Sequence, residues 1–344
     1  MPCFYPLTAY YSRNVNPSGK RSLVFSSLRA QWADKPLEIA CGQCSGCRLE
    51  RSRQWAVRCM HEADLNGNNN CFLTLTFDDE HLYKRDNPFT VDVRDFQLFM
   101  KRLRKKYGKG IRFYHCGEYG EVCRACGLSS HYCSCRKFHA SIGRPHYHAL
   151  LFGFNFPDRE LFKVTPQGNR LYTSPSLSKL WPNGLAVIGD VTFESAAYVA
   201  RYVMKKMNGD KVQEVDQFGL RHYERMCLLT GLVYECAPEY ITMSRRPGIG
   251  KKWYDQFESD VFPHDYVVVN GVKCRPPKYY FSQLEEECPQ LYDEIKLKRI
   301  RKIYKNEIEG LQEHGRMYKV FKSKRLDDAR RNHEARMKLL TRKL

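Results

Sequence analysis

The chain has 344 residues, of which 42% are hydrophobic and 15 are cysteines, and 57 Lys and Arg against 38 Asp and Glu give a net charge of +19. The apolar content excludes a disordered chain, and the length allows one large domain or one domain with appendages. The charge favours polyanionic partners, nucleic acid before anionic membrane, and no apolar run approaches the ~20 residues that a bilayer requires.

Met1-Pro2-Cys3-Phe4-Tyr5-Pro6 lacks the regions of a signal peptide. The cysteines are therefore expected in a reducing cytoplasm, where clusters point to metal rather than disulfides. Three parts are expected: a Cys-rich segment and helix over 1–70, a core over 71–270 with an insertion at 122–140, and a basic helical extension over 271–344.

In chain order, Cys41-Gly42-Gln43-Cys44-Ser45-Gly46-Cys47 comes first, two successive Cys-x2-Cys steps on a Gly-rich turn. Three thiolates suit zinc or iron, and tetrahedral zinc asks for a fourth ligand; Cys3, Cys59 and His61 are all available. Arg48 to Leu65 reads as a helix, followed by the polar loop Asn66 to Asn70. Cys71 to Phe77 is a strand that alternates Cys71, Leu73, Leu75 and Phe77 against Phe72, Thr74 and Thr76. Asp92 starts a helix with Asp95 near its positive end, a core stripe of Phe96, Phe99, Met100, Leu103 and Tyr107, and Gly108 as its stop. Its outer face, Lys101, Arg102, Arg104, Lys105 and Lys106, is either solvated or a contact for DNA phosphates.

Ile111 to Glu118 is a further strand. The insertion then carries Cys123-x2-Cys126-x6-Cys133-x-Cys135, two tight thiol pairs that resemble a small zinc knuckle. Gly143 to Gly153 has the alternation of a strand entered from a turn, so His146, His148, Leu150 and Phe152 share one side. Two neighbouring imidazoles are within reach of one divalent cation; by themselves they equally fit a pair of surface histidines. The stretch 158–169 is loop-like, Leu177 to Gly184 is a short helix closed by a turn, and Leu185 to Val191 is a β-rich run.

Glu194 to Met207, ended by Asn208-Gly209, reads as one helix. At about 100° per residue, Tyr198, Tyr202, Arg201, Lys205 and Lys206 share a polar arc, while Ala196, Ala197, Val199, Ala200, Val203, Met204 and Met207 fill the opposite one. Core tyrosines would sit on the apolar arc. A histidine pair that can hold a metal, together with cation-lined tyrosines, suggests phosphodiester chemistry. The metal neutralises the phosphate, and a phenol oxygen attacks phosphorus and releases a 3′-hydroxyl. Lys205, with Lys206 nearby, can favour a phenolate whose ordinary pKa is about 10.

Lys211 to Arg225 is polar. Ser244 to Lys252 packs Arg245, Arg246, Lys251 and Lys252 around two glycines, whose exposed amides would form a clamp on DNA phosphates; Arg144 and Arg201 are further candidate DNA contacts. Nothing there has Walker-loop spacing. From about Glu285 onward, Leu297, Ile300, Tyr304, Ile308 and Leu311 recur at helix spacing, as in an amphipathic helical extension.

His146-Tyr147-His148 followed by Tyr198-x3-Tyr202-x2-Lys205 resembles the two-tyrosine HUH endonucleases that start rolling-circle replication. Cys71–Phe77, Gly117–Glu121, Gly143–Gly153 and Met243–Gly250 resemble, more narrowly, the replication-initiation proteins of gokushovirus-type microviruses, small single-stranded DNA phages, over residues 1–277. This resemblance implies an α+β fold, with an RRM-like antiparallel sheet carrying the histidines and the tyrosine helix packed over it. It implies Mg²⁺ or Mn²⁺ on His146, His148 and a third ligand, Glu118, with Glu121 and His115 as alternatives. Tyr198 and Tyr202 would be the nucleophiles of an enzyme that nicks viral origin DNA, stays on its 5′ end and recloses the circle.

The setting implied is the host bacterial cytoplasm. The partners are single-stranded viral DNA, replicative-form origin DNA, and the host helicase, polymerase and single-strand-binding protein. A relaxase or transposase would use similar motifs. A non-cleaving zinc-containing DNA or RNA binder is the reading from another class.

Overall fold

The computed structural model describes residues 3–120, 143–201, 212–215, 219–227 and 230–339. The chain opens with β1 (Leu7–Val15), β2 (Arg21–Val24), β3 (Leu37–Ile39) and α1 (Ser45–Asp64). Then come β4 (Asn70–Thr76), α2 (Asp79–Tyr83), α3 (Val93–Tyr107), β5 (Arg112–Tyr119), β6 (Pro145–Phe152), β7 (Glu160–Val164), β8 (Arg170–Thr173), α4 (Pro175–Leu180), β9 (Ala186–Gly189) and α5 (Phe193–Arg201). The last third holds β10 (Glu224–Met226), β11 (Val233–Glu235), β12 (Tyr240–Met243), α6 (Lys251–Val261), β13 (Val267–Val269), β14 (Val272–Cys274), α7 (Lys278–Glu287), α8 (Pro289–His314) and α9 (Tyr318–Leu339).

These elements fall into two compact units. One joins residues 3–51 to residues 296–339, an association of the two ends of the chain that local composition does not reveal. In it β1 pairs antiparallel with β2 on one side and β3 on the other. Lys322 of α9 reaches Glu38 of β3 (2.8 Å) and Glu307 of α8 (3.5 Å).

The other unit, residues 52–295, is organised by a seven-stranded, wholly antiparallel sheet in the order β12-β5-β6-β4-β9-β8-β7. Side-chain alternation buries both of its faces. Cys71, Leu73, Leu75, Tyr147, Ala149 and Leu151 meet the stripe Phe96, Phe99, Met100 and Leu103 of α3. Phe72, Tyr114, Cys116, Leu150 and Phe152 meet Ala56, Cys59 and Ala63 of α1 and Ala196, Val199 and Ala200 of α5. The start of α3 lies where its cap predicts, with Asp92 accepting from the Arg94 amide at 2.8 Å.

The expected loop over 158–169 is in fact half of the β7–β8 hairpin at one sheet edge. Every residue of β7 is exposed, so no face is buried and the two-residue alternation that marks strands is missing.

A third cluster gathers Val57, Tyr254, Phe262, Tyr280 and Leu284. Here His61 stacks on Trp253 (centroids 3.5 Å apart) and its Nδ1 hydrogen-bonds Tyr280 Oη at 2.9 Å, so it is not free to complete a cysteine site. Burial pushes this imidazole down to about 3, against about 6.5 in an unfolded chain. A depressed folded value means stability that is present above about pH 6.5 and is lost as the pH falls from there toward 3. We expect the urea midpoint to drop over this range in the wild type and to drop less steeply in His61→Gln; parallel curves would remove His61 from the account.

Candidate metal centre and tyrosine helix

The register of the central strands assembles the site. Glu118 of β5 lies directly opposite His146 of β6, and Thr74 of β4 lies opposite His148. All three strands turn these residues to the α5 face, beyond the layer of Phe72, Tyr114, Leu150 and Phe152. His146 Nε2 and His148 Nε2 approach the same oxygen, Glu118 Oε1, at 2.9 and 2.8 Å. Glu118 is 1% exposed, His148 7% and His146 19%, so the group opens to solvent beside His146. One ligand atom from each residue lies within 4.8 Å of the others.

The far side of each ring is held as well. His146 Nδ1 faces the Arg144 carbonyl (3.2 Å) and His148 Nδ1 faces Thr74 Oγ1 (3.0 Å). Partners of this kind set the tautomer and ring direction of metal-binding histidines. Burial alone would raise the Glu118 carboxyl, but the charges and hydrogen bonds of His146 and His148 outweigh it and hold it well below the usual carboxylate range. Two nitrogens and one carboxylate oxygen converging on a point, with one side open, fit a divalent cation that keeps positions free for water or substrate.

Over this group runs α5. Its entry is fixed by reciprocal bonds, the Thr192 amide donating to Ser195 Oγ (2.8 Å) and the Ser195 amide to Thr192 Oγ1 (3.2 Å). Ser195, Ala196, Val199 and Ala200 face inward. Half-buried Tyr198 stands at the rim. Its ring meets His148 edge-on (5.1 Å, 86°) and Phe72 likewise (6.5 Å, 90°), and its hydroxyl donates to Glu118 Oε1 at 3.4 Å. Arg201 donates from Nε to the Ala197 carbonyl at 3.4 Å.

Tyr202, Lys205 and Lys206 lie outside the described residues, as do Glu121 and the insertion cysteines Cys123, Cys126, Cys133 and Cys135. His115, an alternative third ligand, points to the other face of the sheet, stacked on Phe96 (3.5 Å, 6°) and bonded to Thr242 Oγ1 (3.0 Å). It is one strand position out of phase with Cys116 and Glu118, and one position reverses the face.

Several basic candidates are occupied internally. Arg144 donates to Asp79 Oδ1 and to the Phe77 carbonyl, both at 2.6 Å, so it straps the start of β6 to the turn after β4. Lys251 is paired with Asp255 and with Glu287. The expected amide clamp is also altered, because Gly250 is buried and its amide donates to Glu62 Oε2 at 2.7 Å. Its φ of 79° places it in the left-handed region, and a Cβ there would come within 2.5 Å of Tyr280 Oη, so glycine serves packing at this point. Arg245, Arg246 and Lys252 are exposed.

Thr74 is the functional candidate that sequence reasoning passed over; alternation puts it on the right face, but only the β4–β6 register puts it opposite His148. A second cluster able to hold a metal, Cys3, Cys41, Cys44 and Cys47, brings four thiols within 4.8 Å of one another. Cys59, an alternative partner for it, is fully buried in the sheet core.

Residues 70–207 match the model of the family described as Replication-associated protein ORF2/G2P, a segment that contains Thr74, Glu118, His146, His148 and Tyr198. The chain is 31% identical over 307 residues to the replication-associated protein VP4 of Bdellovibrio phage phiMH2K, covering 87% of this chain and 82% of that one. It is 30% identical over 272 residues to the replication-associated protein ORF2 of Spiroplasma virus 4, covering 76% and 72%. No solved structure matches. Among the described residues no helix is long and apolar enough to cross a membrane. With two relatives aligned over most of both chains and a family match spanning the histidine strand and α5, this chain belongs to the microvirus-type replication-associated proteins.

Proposed function

We propose that the protein is a rolling-circle replication initiator of the two-tyrosine HUH type, working on viral origin DNA in the cytoplasm of the host bacterium. The observation that carries this reading is the convergence of His146, His148 and Glu118 at one open point beside the Tyr198 hydroxyl. Mg²⁺ or Mn²⁺ on these three ligands would supply Lewis-acid polarisation and charge neutralisation at the scissile phosphate.

The chain's own residues do the rest. Thr74 and the Arg144 carbonyl hold the two imidazoles in direction. α5 presents the phenol at the rim of the pocket, where its oxygen bonds to phosphorus as the bond from phosphorus to the 3′-oxygen breaks. The phenolic proton leaves to water, and the 3′-oxygen takes one up to become the primer end for a host polymerase. The phosphotyrosine keeps the bond energy, so reversal by a 3′-hydroxyl recloses the circle without a nucleotide cofactor. Tyr202, four residues on, would provide the second nucleophile, with Lys205 and Lys206 favouring the phenolate. Host helicase and single-strand-binding protein are the partners this cycle needs.

The test is cleavage of single-stranded origin DNA with Mn²⁺ by wild type, Tyr198→Phe, Tyr202→Phe and the double variant. A denaturation-resistant 5′-phosphotyrosine adduct that is missing from the double variant is the expected result. Equal DNA binding by all four with no adduct from any would sink the nuclease and favour a non-cleaving zinc-containing DNA or RNA binder.

Exposed Arg245 and Arg246 are proposed as phosphate contacts, with Arg201 and Lys252 assisting. Their joint replacement by alanine should weaken single-strand binding alike for all sequences and flatten the log–log salt dependence by about 1.4. An unchanged slope would remove them from the interface.

A further inference from the structure

The four-cysteine cluster is separate from the nuclease chemistry and does not depend on it. Cys3 Sγ lies 3.5 Å from Cys41 Sγ and 3.9 Å from Cys44 Sγ, and Cys41 Sγ lies 4.0 Å from Cys47 Sγ. Four sulfurs at Zn–S distances of about 2.3 Å in a tetrahedron stand about 3.8 Å apart, whereas a disulfide would bring two of them to about 2.05 Å. The backbone is turned toward the sulfurs. The Cys41 amide donates to Cys3 Sγ (3.3 Å), the Cys44 amide to Cys41 Sγ (3.3 Å), and the Phe4 and Cys47 amides to Cys44 Sγ (3.4 and 3.5 Å). Amide donors of this kind stabilise thiolate charge. Gly42, at φ 75°, makes the turn that allows two Cys-x2-Cys steps to wrap one point.

The segment this cluster closes has little else to hold it. Between residues 3 and 40 the buried apolar side chains are Phe4, Ala9 and Ala30, while Tyr11, Leu23, Phe25, Leu28 and Trp32 are exposed. A three-stranded sheet with so small a core needs a staple.

We infer that Cys3, Cys41, Cys44 and Cys47 form a closed tetrathiolate zinc site that fastens the beginning of the chain to the start of α1 and holds the β2-β1-β3 sheet. With all four positions taken by protein, the ion is structural and has no vacancy for substrate.

The full-length protein serves for the test. By elemental mass spectrometry, Cys3→Ser/Cys41→Ser should carry about one zinc fewer per chain than the wild type, whatever the insertion cysteines bind; equal zinc content would overturn the site. A second measurement needs no variant. In the folded wild type, Cys3, Cys41, Cys44 and Cys47 should resist iodoacetamide until a zinc chelator is added. Limited proteolysis should then cut within residues 4–40. Full alkylation of these four before chelation, or a disulfide between any two of them, would overturn the proposal.

Discussion

Glu118→Gln is expected to lower metal-dependent cleavage of single-stranded origin DNA by about 10³-fold or more, with DNA binding retained. Glu118 Oε1 is the atom on which both Nε2 atoms and the Tyr198 hydroxyl converge. The amide keeps the shape and can still take part in hydrogen bonds, but it removes the one negative charge in a pocket otherwise built of neutral donors, and with it most of the attraction for a divalent ion. Metal assistance at a phosphate is worth several kcal/mol, and each 1.36 kcal/mol is about tenfold in rate. The check is adduct yield against Mn²⁺ concentration, with Mn²⁺ affinity measured separately by paramagnetic resonance. Wild-type adduct yield and Mn²⁺ affinity in Glu118→Gln would show that the carboxylate is only a structural partner of the histidines.

A loss of stability of about 3 kcal/mol is expected for Glu62→Ala. Glu62 is 3% exposed, accepts from Arg112 Nε at 2.5 Å through one oxygen and from the Gly250 amide at 2.7 Å through the other. Arg112 also donates to the Pro247 carbonyl at 2.8 Å, and Arg58 donates to the Ile249 carbonyl at 2.9 Å with its guanidinium over Trp55 and Tyr279. One carboxylate therefore ties α1, β5 and the Arg245–Gly250 turn together. Removing it leaves a mostly buried guanidinium and a buried amide without that partner, which is more costly than losing an exposed ion pair. Urea denaturation measures it; a change under about 1 kcal/mol would mean that solvent reaches Arg112 and replaces the carboxylate. The same variant should weaken DNA binding if the turn presents Arg245 and Arg246 to phosphates.

Much of the site could be read before folding because it rests on local periodicity. A two-residue repeat puts His146 and His148 on one side of β6 whatever lies around them, and a 3.6-residue repeat turns Ala196, Val199 and Ala200 of α5 inward and leaves Tyr198 at the boundary. Caps are equally local, as Asp92 at the start of α3 shows. Even the strap of β6 was misjudged, however. Arg144 looked like a free cation, and its partner Asp79 lies 65 residues away. The amides of the glycine-rich turn looked open, and the acceptor for one of them, Glu62, lies 188 residues away.

By itself the sequence determined the faces of β4, β6 and α3, the thiol-rich turn at Cys41–Cys47, the basic surface and the mixed α+β composition, because each depends on residues a few positions apart. Only the tertiary structure decided what depends on register and remote contact. It set Glu118 opposite His146 and turned His115 to the other face. It chose Cys3 over Cys59 and His61 as the fourth thiol partner, and it joined the two ends of the chain in one unit. The physical reason is that periodicity fixes the direction in which a side chain points, whereas its partner is fixed by chain closure across tens to hundreds of residues, on which local pattern carries no information.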